Sequence, residues 1–444
     1  MASVSVSNTL TQGFAKLDEL DPVLSSYLQA EHVRQSNTLS LVASSGGTDA
    51  SVLAASAATI VNVTAEGYPG ARYHSGCQYV DKVEALAIER AKTLFGASYA
   101  NVQPHCASAA NHIVMHAVLQ PGDVILGMNL DEGGHLTHGA KVNVSGQLYT
   151  SYQYGLDAQE RIDFAQVERL ALAHRPKLIV CGTTSYSRHI DFKEFRRIAD
   201  LVGAYLLADV THIAGLVAAG EHESPVPYVD FTTMCTFKQL FGPRGGLILM
   251  GESMNKLAPD NKTPLYRAIQ KSVFPTMQGS PATSIIAAKA RIFDHLQSAE
   301  FKALAQRIKA NATTLSNSLK AMGYDLVTGG TDNHIVLFRL PEHLPGYAVQ
   351  QALDDCQIMV NKNRVPGDVR SPMIASGIRL GSNTVSLRNM GQYEMEQCAE
   401  MIHSIISSVQ CVNDKEYELD PALRARVIEN VESICRDFPL PYAK

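Results

Sequence analysis

The 444-residue sequence lacks the motifs of several common enzyme classes. Its eight cysteines include no C-x-x-C pair and no zinc-binding spacing, so we expect reduced thiols packed as small hydrophobic side chains. The zinc-peptidase motif H-E-x-x-H, the serine-hydrolase elbow G-x-S-x-G and the nucleotide-binding G-K-[ST] are also absent. These absences argue against a metal site, a serine hydrolase and a P-loop enzyme.

The chain also lacks an excess of charge of one sign. Its net charge is -5 with the two signs interspersed, which leaves no basic stripe for nucleic acid and no polybasic patch for a membrane. No stretch has the unbroken apolar length of a membrane helix, and residues 1–7 lack the basic and apolar blocks of a signal peptide. We therefore expect a cytoplasmic protein.

The length and the apolar pattern predict two domains behind an N-terminal arm. Residues 1–39 carry a helical pattern without enough apolar surface to fold alone, so this arm should pack on the rest of the chain or on another subunit. Residues 40–297 alternate short apolar runs with helical patterns, which predicts an α/β domain with a mostly parallel sheet. Residues 298–444 begin with a long amphipathic stretch and predict a smaller α+β domain.

Two strand-like segments end in reactive side chains. The run 230–238 ends on Lys238 just before a glycine-rich turn, and the run 204–209 ends on Asp209. Because open α/β sheets bind ligands at the carboxyl ends of their strands, this pair suits pyridoxal 5′-phosphate (PLP). The lysine would form the imine, and the aspartate would keep the pyridine nitrogen protonated. A solvated surface lysine and an N-cap aspartate remain open alternatives on these two residues alone.

Three further segments suit the same chemistry. Residues 103–111 join a loop to an alanine-rich helix whose first N–H groups would bind a phosphate, although a simple Ser108 N-cap fits equally well. His135 follows two glycines and would lie flat on a heterocyclic ring, with a buried core histidine as the alternative. Arg379 on a predicted strand would grip a carboxylate with two hydrogen bonds, with a surface ion pair as the alternative.

These residues resemble the serine hydroxymethyltransferase family of PLP enzymes, and the similarity runs nearly the whole length from about residue 30. Matching segments lie at 65–70, 99–105, 127–130, 133–139, 242–246, 329–334 and 360–363. The resemblance implies the aminotransferase-like α/β fold of type I. This fold has a mostly parallel seven-stranded sheet with helices on both faces and a smaller C-terminal α+β domain.

The resemblance also implies roles for individual residues. Lys238 would carry PLP as a Schiff base, Asp209 would face the pyridinium nitrogen, and His135 would stack on the ring. The other cofactor-binding residues would be Cys106, Ala107, Ser108, Thr184, His212, Gly279 and Ser280. No metal site is implied.

Substrate and folate sites follow from the same resemblance. Arg379 and Ser44 would hold the substrate carboxylate, with Tyr73 and His74 nearby. Glu66 would reach in from a partner subunit and handle the proton of the β-hydroxyl group, since carbon–carbon cleavage must release that proton. The implied assembly is a homodimer or dimer of dimers with shared active sites. Leu130, Leu136 and Asn363 would line a folate pocket.

Several residues depart from the family pattern, and these departures bear on the substrate. They are Phe237 for a histidine, Ser45 for a glutamate, Thr64 and His74 for tyrosines, Ser280 for a glycine, and Asp131 and Glu132 for an Ala-His pair. They leave the residues that hold the cofactor in place.

Three functions are therefore open. The first is serine/glycine hydroxymethyl transfer with tetrahydrofolate, on serine or an α-substituted analogue. The second is a folate-independent aldolase or transaldolase acting on a β-hydroxy amino acid. The third is a non-catalytic PLP-binding homologue, which the joint presence of Lys238, Asp209, Glu66 and Arg379 argues against.

Overall fold

The structure is a computed structural model and describes residues 6–443. Residues 1–5 of the predicted arm, which are also part of the segment considered as a signal peptide, and Lys444 lie outside the described residues. The α-helices are α1 (Val6–Leu20), α2 (Pro22–Asn37), α3 (Ala50–Ser56), α4 (Gln78–Phe95), α5 (Ala107–Val118), α6 (Val144–Leu148), α7 (Phe164–His174), α8 (Phe192–Val202), α9 (Ala214–Ala219), α10 (Leu265–Lys271), α11 (Thr283–His295), α12 (Ala299–Ala321), α13 (Gly346–Asp354), α14 (Asn383–Leu387), α15 (Gln392–Ser408) and α16 (Pro421–Asp437).

The strands are β1 (Leu39–Ser40), β2 (Gly67–Tyr68), β3 (Ala71–Arg72), β4 (Tyr99–Asn101), β5 (Val124–Met128), β6 (Thr150–Tyr154), β7 (Leu178–Gly182), β8 (Tyr205–Asp209), β9 (Phe231–Cys235), β10 (Gly246–Met250), β11 (Asp325–Leu326), β12 (Ile335–Arg339), β13 (Ile358–Met359), β14 (Asn361–Asn363), β15 (Gly377–Gly381), β16 (Gln410–Cys411) and β17 (Tyr417–Glu418). Seven of them form one sheet in the order β4-β10-β9-β8-β7-β5-β6. The pairs from β9 to β6 are parallel, and β10 is antiparallel to both of its neighbours. This confirms the predicted mostly parallel sheet.

Both faces of this sheet are covered by helices, as predicted. Ile179 and Cys181 of β7 pack in a core shared with α4, α8 and α11, whereas Leu178 and Val180 point into a second core with α5 and α10. Successive side chains of a strand alternate between faces, so a strand buried on both sides reads as a continuous apolar run. Because β5 to β9 pair in parallel, their carboxyl ends lie at the same edge of the sheet.

The C-terminal part of the chain forms an α+β unit around the antiparallel sheet β11-β12-β15-β14. Helix α12 belongs to both halves, because Ile308 packs in the core of the large sheet and Leu315 packs in the C-terminal core. Leu39 of β1 and Leu41 just after it also lie in the C-terminal core, where β1 pairs with β13. The domain boundaries after residues 39 and 297 stay predictions.

Six of the eight cysteines are buried, and all eight are free thiols. Within residues 6–443, no helix is both long enough and apolar enough to span a bilayer. The cytoplasmic location stays a prediction.

Candidate active site

Asp209 is the buried carboxylate at the end of β8. Its Oδ2 accepts hydrogen bonds from Asn111 Nδ2 (2.8 Å) and His138 Nε2 (3.1 Å), and its Oδ1 accepts one from the backbone N–H of Thr211 (3.1 Å). Burial alone would raise the pKa of Asp209, but the hydrogen bond from His138 holds it well below its usual range. Asp209 is therefore ionised, and Oδ1 has a lone pair for one more donor.

The loop after β5 brings two histidines to this carboxylate. His138 Nδ1 accepts the backbone N–H of His135 (3.2 Å), so Nε2 of His138 carries the proton that is donated to Asp209. His135 Nδ1 accepts the backbone N–H of Thr137 (3.2 Å). Burial lowers the pKa of His135 to about 4, so its ring is neutral at physiological pH.

Glycines let this loop approach the strand and Thr184. A Cβ on Gly134 would lie 2.1 Å from the carbonyl oxygen of Met128, and Gly133 has a φ of +116°. Thr184 Oγ1 donates to the carbonyl of Gly134 (2.8 Å), and the Thr184 N–H donates to the carbonyl of Gly133 (2.7 Å). Thr184 thus fixes the loop that carries His135, and its predicted contact with the cofactor stays a prediction.

Lys238 follows the next strand of the sheet. Strand β9 ends at Cys235, so Lys238 lies in the bend beyond it rather than at the end of the predicted run. Its Nζ is 2.9 Å from Nε2 of the buried His212. Burial lowers the pKa of Lys238, and the charge of Asp209 acts in the opposite direction. Burial and the charge of Lys238 likewise hold the pKa of His212 well below its usual range.

The N-terminal segment packs directly against this lysine. A Cβ on Gly46 would lie 2.3 Å from the carbonyl oxygen of Lys238, so a side chain at that position would collide with the bend. On the other side of the bend, the guanidinium carbon of Arg244 lies 4.1 Å from the centre of the Phe237 ring. Phe237, which replaces a family histidine, therefore forms a cation–π contact.

Arg379 lies on β15 with a partly buried side chain. Nε donates to Asn361 Oδ1 (3.0 Å), and Nη1 donates to the carbonyl of Thr184 (2.6 Å). Burial lowers the pKa of Arg379 to about 10, so the group stays charged. No carboxylate forms an ion pair with it in the part of the chain that the structure describes. Ser44 is partly buried and follows Ala43, whose carbonyl accepts a hydrogen bond from His334 (3.1 Å).

The predicted phosphate segment begins helix α5. Cys106 is the N-cap, and its Sγ accepts the N–H of Ala109 (3.4 Å), so the interpretation of Ser108 as the cap is wrong. Ala107 and Ser108 form the first turn, whose N–H groups have no acceptor within the helix. The predicted helix does begin here, and the binding of a phosphate to its first turn stays a prediction.

A comparison with protein families identifies this architecture. The family model described as serine hydroxymethyltransferase matches residues 17–402 of the 444. The chain belongs to the serine hydroxymethyltransferase family. It is therefore a PLP-dependent transferase of fold type I, and the family resemblance, fold class and enzyme class are confirmed. Membership supports serine/glycine hydroxymethyl transfer in general, with an amino acid as substrate and a folate as the family's one-carbon carrier.

The residues present fit the family's cofactor. The ionised Asp209 suits the ring nitrogen of PLP, and the neutral His135 suits the face of its ring. The buried Lys238, whose pKa is lowered, suits the aldehyde. The free N–H groups at the start of α5 suit the phosphate. His212 Nδ1 is a buried polar atom without a hydrogen-bond partner in the described chain, which suits a site that is completed by a ligand.

A second set of predicted site residues makes no contact with Lys238 among the described residues. We call Glu66, Tyr73, His74, Gly279 and Ser280 the Glu66 patch. Ser280 Oγ accepts the N–H of Ala65 (2.9 Å), and a Cβ on Gly279 would lie 3.5 Å from Glu66 Oε1. The Tyr73 side chain is 75% exposed. Across the described residues, no hydrogen bond, ion pair or ring contact joins this patch to Lys238, Asp209 or Arg379.

The loop that carries Glu66 is held by a buried ionic network. Arg72 Nη1 donates to the carbonyls of Ala65 and Gly67 (both 2.8 Å), and Arg72 also pairs with the buried Glu84. Gln103 Nε2 donates to the carbonyl of Gly67 (2.9 Å) and to Glu84 Oε1 (2.7 Å). Each backbone contact fixes a residue next to Glu66, so its carboxyl group is presented from a rigid loop.

The predicted folate residues lie beside an ion pair. Leu130 and Leu136 are 39% and 42% exposed, which is unusual for leucines unless they line a binding surface. Asp131 Oδ1 is 2.6 Å from Arg364 Nη1, so the loop of Leu130 is tied to the segment that begins with Asn363. The adjacent Glu132 turns inward and accepts the N–H of Leu156 (2.5 Å). Folate binding here stays a prediction.

The ligand atoms of His135, His138 and Asp209 lie within 4.8 Å of one another, a spacing that would also suit a metal ion. Both ring nitrogens of His138 are already used in hydrogen bonds, one to Asp209 and one to the backbone of His135. The arrangement therefore has a complete explanation as a hydrogen-bond network, and the expectation of no metal stays a prediction.

The sequence reasoning assigned no role to Asn111 or His138, although both bind Asp209 directly. His138 lies three residues after His135, a spacing that places both rings on one side of the short helical turn Leu136–His138. Asn111 is fully buried in α5, and only the tertiary fold shows its contact.

Proposed function

We propose that this enzyme transfers the hydroxymethyl group of serine, or of an α-substituted analogue, to tetrahydrofolate, with PLP bound covalently to Lys238. The observation that carries the proposal is the partly buried guanidinium of Arg379, which has no acidic partner among residues 9–442. A buried charge is costly unless it is paired, so a substrate carboxylate would complete this site. Besides burial, the charge of Arg379 lowers the pKa of Lys238, so the two groups lie close enough for a substrate held by Arg379 to reach the amine.

When bound, PLP supplies an electron sink for the bond that breaks at the substrate's α-carbon. Asp209 would hold a proton at the ring nitrogen, because it is ionised and has acceptor capacity left. Lys238 would hold the cofactor's aldehyde through its amine, whose neutral form is favoured by burial. His135 would lie on the ring as a neutral imidazole. Cys106, Ala107 and Ser108 would bind the phosphate at the start of α5.

The Glu66 patch supports an assembly in which each subunit completes its neighbour's site. Cleavage of a β-hydroxy amino acid must take a proton from the hydroxyl group, and a positioned carboxyl group is suited to that transfer. Because Glu66, Gly279 and Ser280 lie together and make no contact with Lys238 among the described residues, we assign them to a partner's site in a homodimer or dimer of dimers. Tyr73 and His74 would approach the partner's substrate.

Exposed apolar side chains on the arm support the same assembly. Phe14, Leu20 and Tyr27 of α1 and α2 are 71%, 77% and 69% exposed. Such side chains on neighbouring helices are typical of a subunit contact. Light scattering coupled to size exclusion tests this directly, and a fully active monomer would contradict the shared site.

A second candidate function is folate-independent cleavage or transfer of a β-hydroxy amino acid. The ion pair between Asp131 and Arg364 favours it, because two charged side chains stand beside Leu130 and Leu136 where a pterin ring would need an apolar wall. Desolvating such a pair to admit an aromatic ring opposes binding.

Glycine release, measured with and without tetrahydrofolate, separates the candidates. Serine cleavage that requires tetrahydrofolate supports the first function. Equal glycine release from threonine or another β-substituted serine with and without folate supports the second. An enzyme that binds PLP but releases neither glycine from serine or threonine nor the α-substituted glycine from an α-substituted serine is a non-catalytic homologue. The double variant D131A/R364S should gain folate-dependent turnover only if the ion pair restricts the pocket.

A further inference from the structure

Lys289 on α11 is a buried lysine that the proposed chemistry does not use. It is 1% exposed, and its Nζ donates to three backbone carbonyls, those of Val102 (2.6 Å), Gly246 (2.7 Å) and Pro104 (3.2 Å). An ammonium group has three donors and no acceptor, so these carbonyls match the charged form completely. No carboxylate pairs with Lys289 in the described chain.

The three carbonyls belong to two segments that meet at the start of α5. Val102 and Pro104 lead into the N-cap Cys106, and Gly246 begins the antiparallel strand β10. The segments are close: the Gly246 N–H donates to the carbonyl of Pro104 (2.8 Å), and a Cβ on Gly246 would lie 2.4 Å from the carbonyl oxygen of Cys106. Lys289 therefore links the segment before α5 to strand β10 through hydrogen bonds to both.

We propose that Lys289 is a positioning residue for the cofactor's phosphate. Its three hydrogen bonds fix the backbone that sets the first turn of α5, and its charge adds to the positive end of that helix. This inference rests on the proposed PLP site, because it assigns the phosphate to Cys106, Ala107 and Ser108.

The surroundings of Lys289 agree with a role that depends on charge. Burial lowers the pKa of Lys289 to about 7, while Glu84 of α4 and Cys106 act in the opposite direction. His105 is the other titratable group on this segment, and its pKa is lowered by its burial and by the charge of Lys289. A phosphate at α5 would favour the charged lysine, so phosphate binding and the three-carbonyl contact support each other.

The test compares PLP with pyridoxal, which lacks the phosphate, on apoenzyme prepared from wild type and K289M. We expect the dissociation constant for PLP to rise roughly tenfold in K289M, because a nearby positive charge is lost, and that for pyridoxal to stay unchanged. K309M is the matched control. Lys309 also donates to a backbone carbonyl, that of Glu221 (3.1 Å), but lies on α12. The K309M variant should bind PLP and pyridoxal as wild type does.

An equal loss of affinity for both ligands, or no loss, overturns the inference, since either result shows no role specific to the phosphate. Should K289M fail to fold, G245A decides in its place, because a Cβ there would lie 2.3 Å from Lys289 Cε and displace the ammonium group. Wild-type apoenzyme that binds neither ligand would contradict the proposed function instead, so the two failures are distinguishable.

Discussion

Lys238 Nζ and His212 Nε2 lie 2.9 Å apart, so a buried amine and a neutral imidazole share one hydrogen bond. We expect Lys238→Ala to lose both the visible absorption band of covalently bound PLP and the transferase activity, because no other amine would attach the cofactor. Absorption spectra of K238A and K309M after addition of PLP measure this. A band that persists in K238A, with the reduced cofactor found on another lysine after borohydride treatment and peptide mapping, would contradict the assignment.

Arg379→Gln should weaken substrate binding while PLP binding is preserved. The guanidinium is partly buried on β15, and losing one member of a charge pair that is withdrawn from water costs enough to lower kcat/KM roughly 10²-fold, mainly through KM. Spectral titration with glycine, and with methylamine as the analogue without a carboxylate, makes the test specific. The assignment fails if R379Q binds glycine as tightly as wild type, or loses methylamine equally.

Glu66→Gln should keep the cofactor band and slow the cleavage of a β-hydroxy substrate. Removing a positioned proton carrier typically lowers the rate by about 10²–10⁴-fold, and the amide keeps the size of the side chain. Glu89→Gln on the exposed side of α4 is the control, and it should behave as wild type. Equal kcat values for E66Q and wild type would remove Glu66 from the proton transfer.

Much of the fold was predictable because apolar runs and helical patterns are local properties of the sequence. The strand that ends at Asp209 lies where the apolar run 204–209 predicted it. Lys238 was placed at a strand end, whereas the strand stops at Cys235 and the chain then bends, with Thr236 Oγ1 donating to the carbonyl of Pro243 (2.6 Å).

The contacts that the sequence did not predict join segments that are distant in the chain. The pair of Asp131 and Arg364 and the three carbonyls around Lys289 depend on which loops the sheets bring together. Neither composition nor periodicity specifies such contacts. The family resemblance implied roles for Arg379 and Glu66, but it implied no role for Lys289.

Acid should destabilise the apoenzyme between about pH 6.5 and 4. Burial lowers the pKa of His135 and His222 to about 4 and that of His334 to about 3. As the pH falls below the unfolded value of about 6.5, the unfolded chain takes up protons that the folded chain does not, so the free energy of unfolding decreases.

The variant His222→Gln isolates one of these groups away from the candidate site. Each such histidine contributes a slope of up to about 1.4 kcal/mol per pH unit within that window. The thermal unfolding midpoint, measured from pH 7 to 4, should fall less steeply in H222Q than in wild type. Parallel curves would show that His222 titrates equally in both states.

Arg388→Met should destabilise the contact between α2 and α16. The buried guanidinium donates to the carbonyls of Ser36 (2.9 Å) near the end of α2 and of Phe438 (2.8 Å) after α16. Its loss leaves buried carbonyls unpaired, at a cost of about 3 kcal/mol. Urea denaturation measures this, with the exposed Arg426→Met as a control expected within about 0.5 kcal/mol of wild type. Equal stabilities of the two variants would contradict the role.

The pairing of β1 with β13 has a consequence for any attempt to separate the two halves by limited proteolysis. Leu39 and Leu41 are embedded in the C-terminal core, and the Gly381 N–H donates to the carbonyl of Leu41 (2.8 Å). A nick just before Ser298 would leave these leucines on the N-terminal fragment while they remain inserted in the other one. The nicked chains would stay associated, and a recombinant fragment that starts at Ser298 would expose the vacated apolar slot and aggregate.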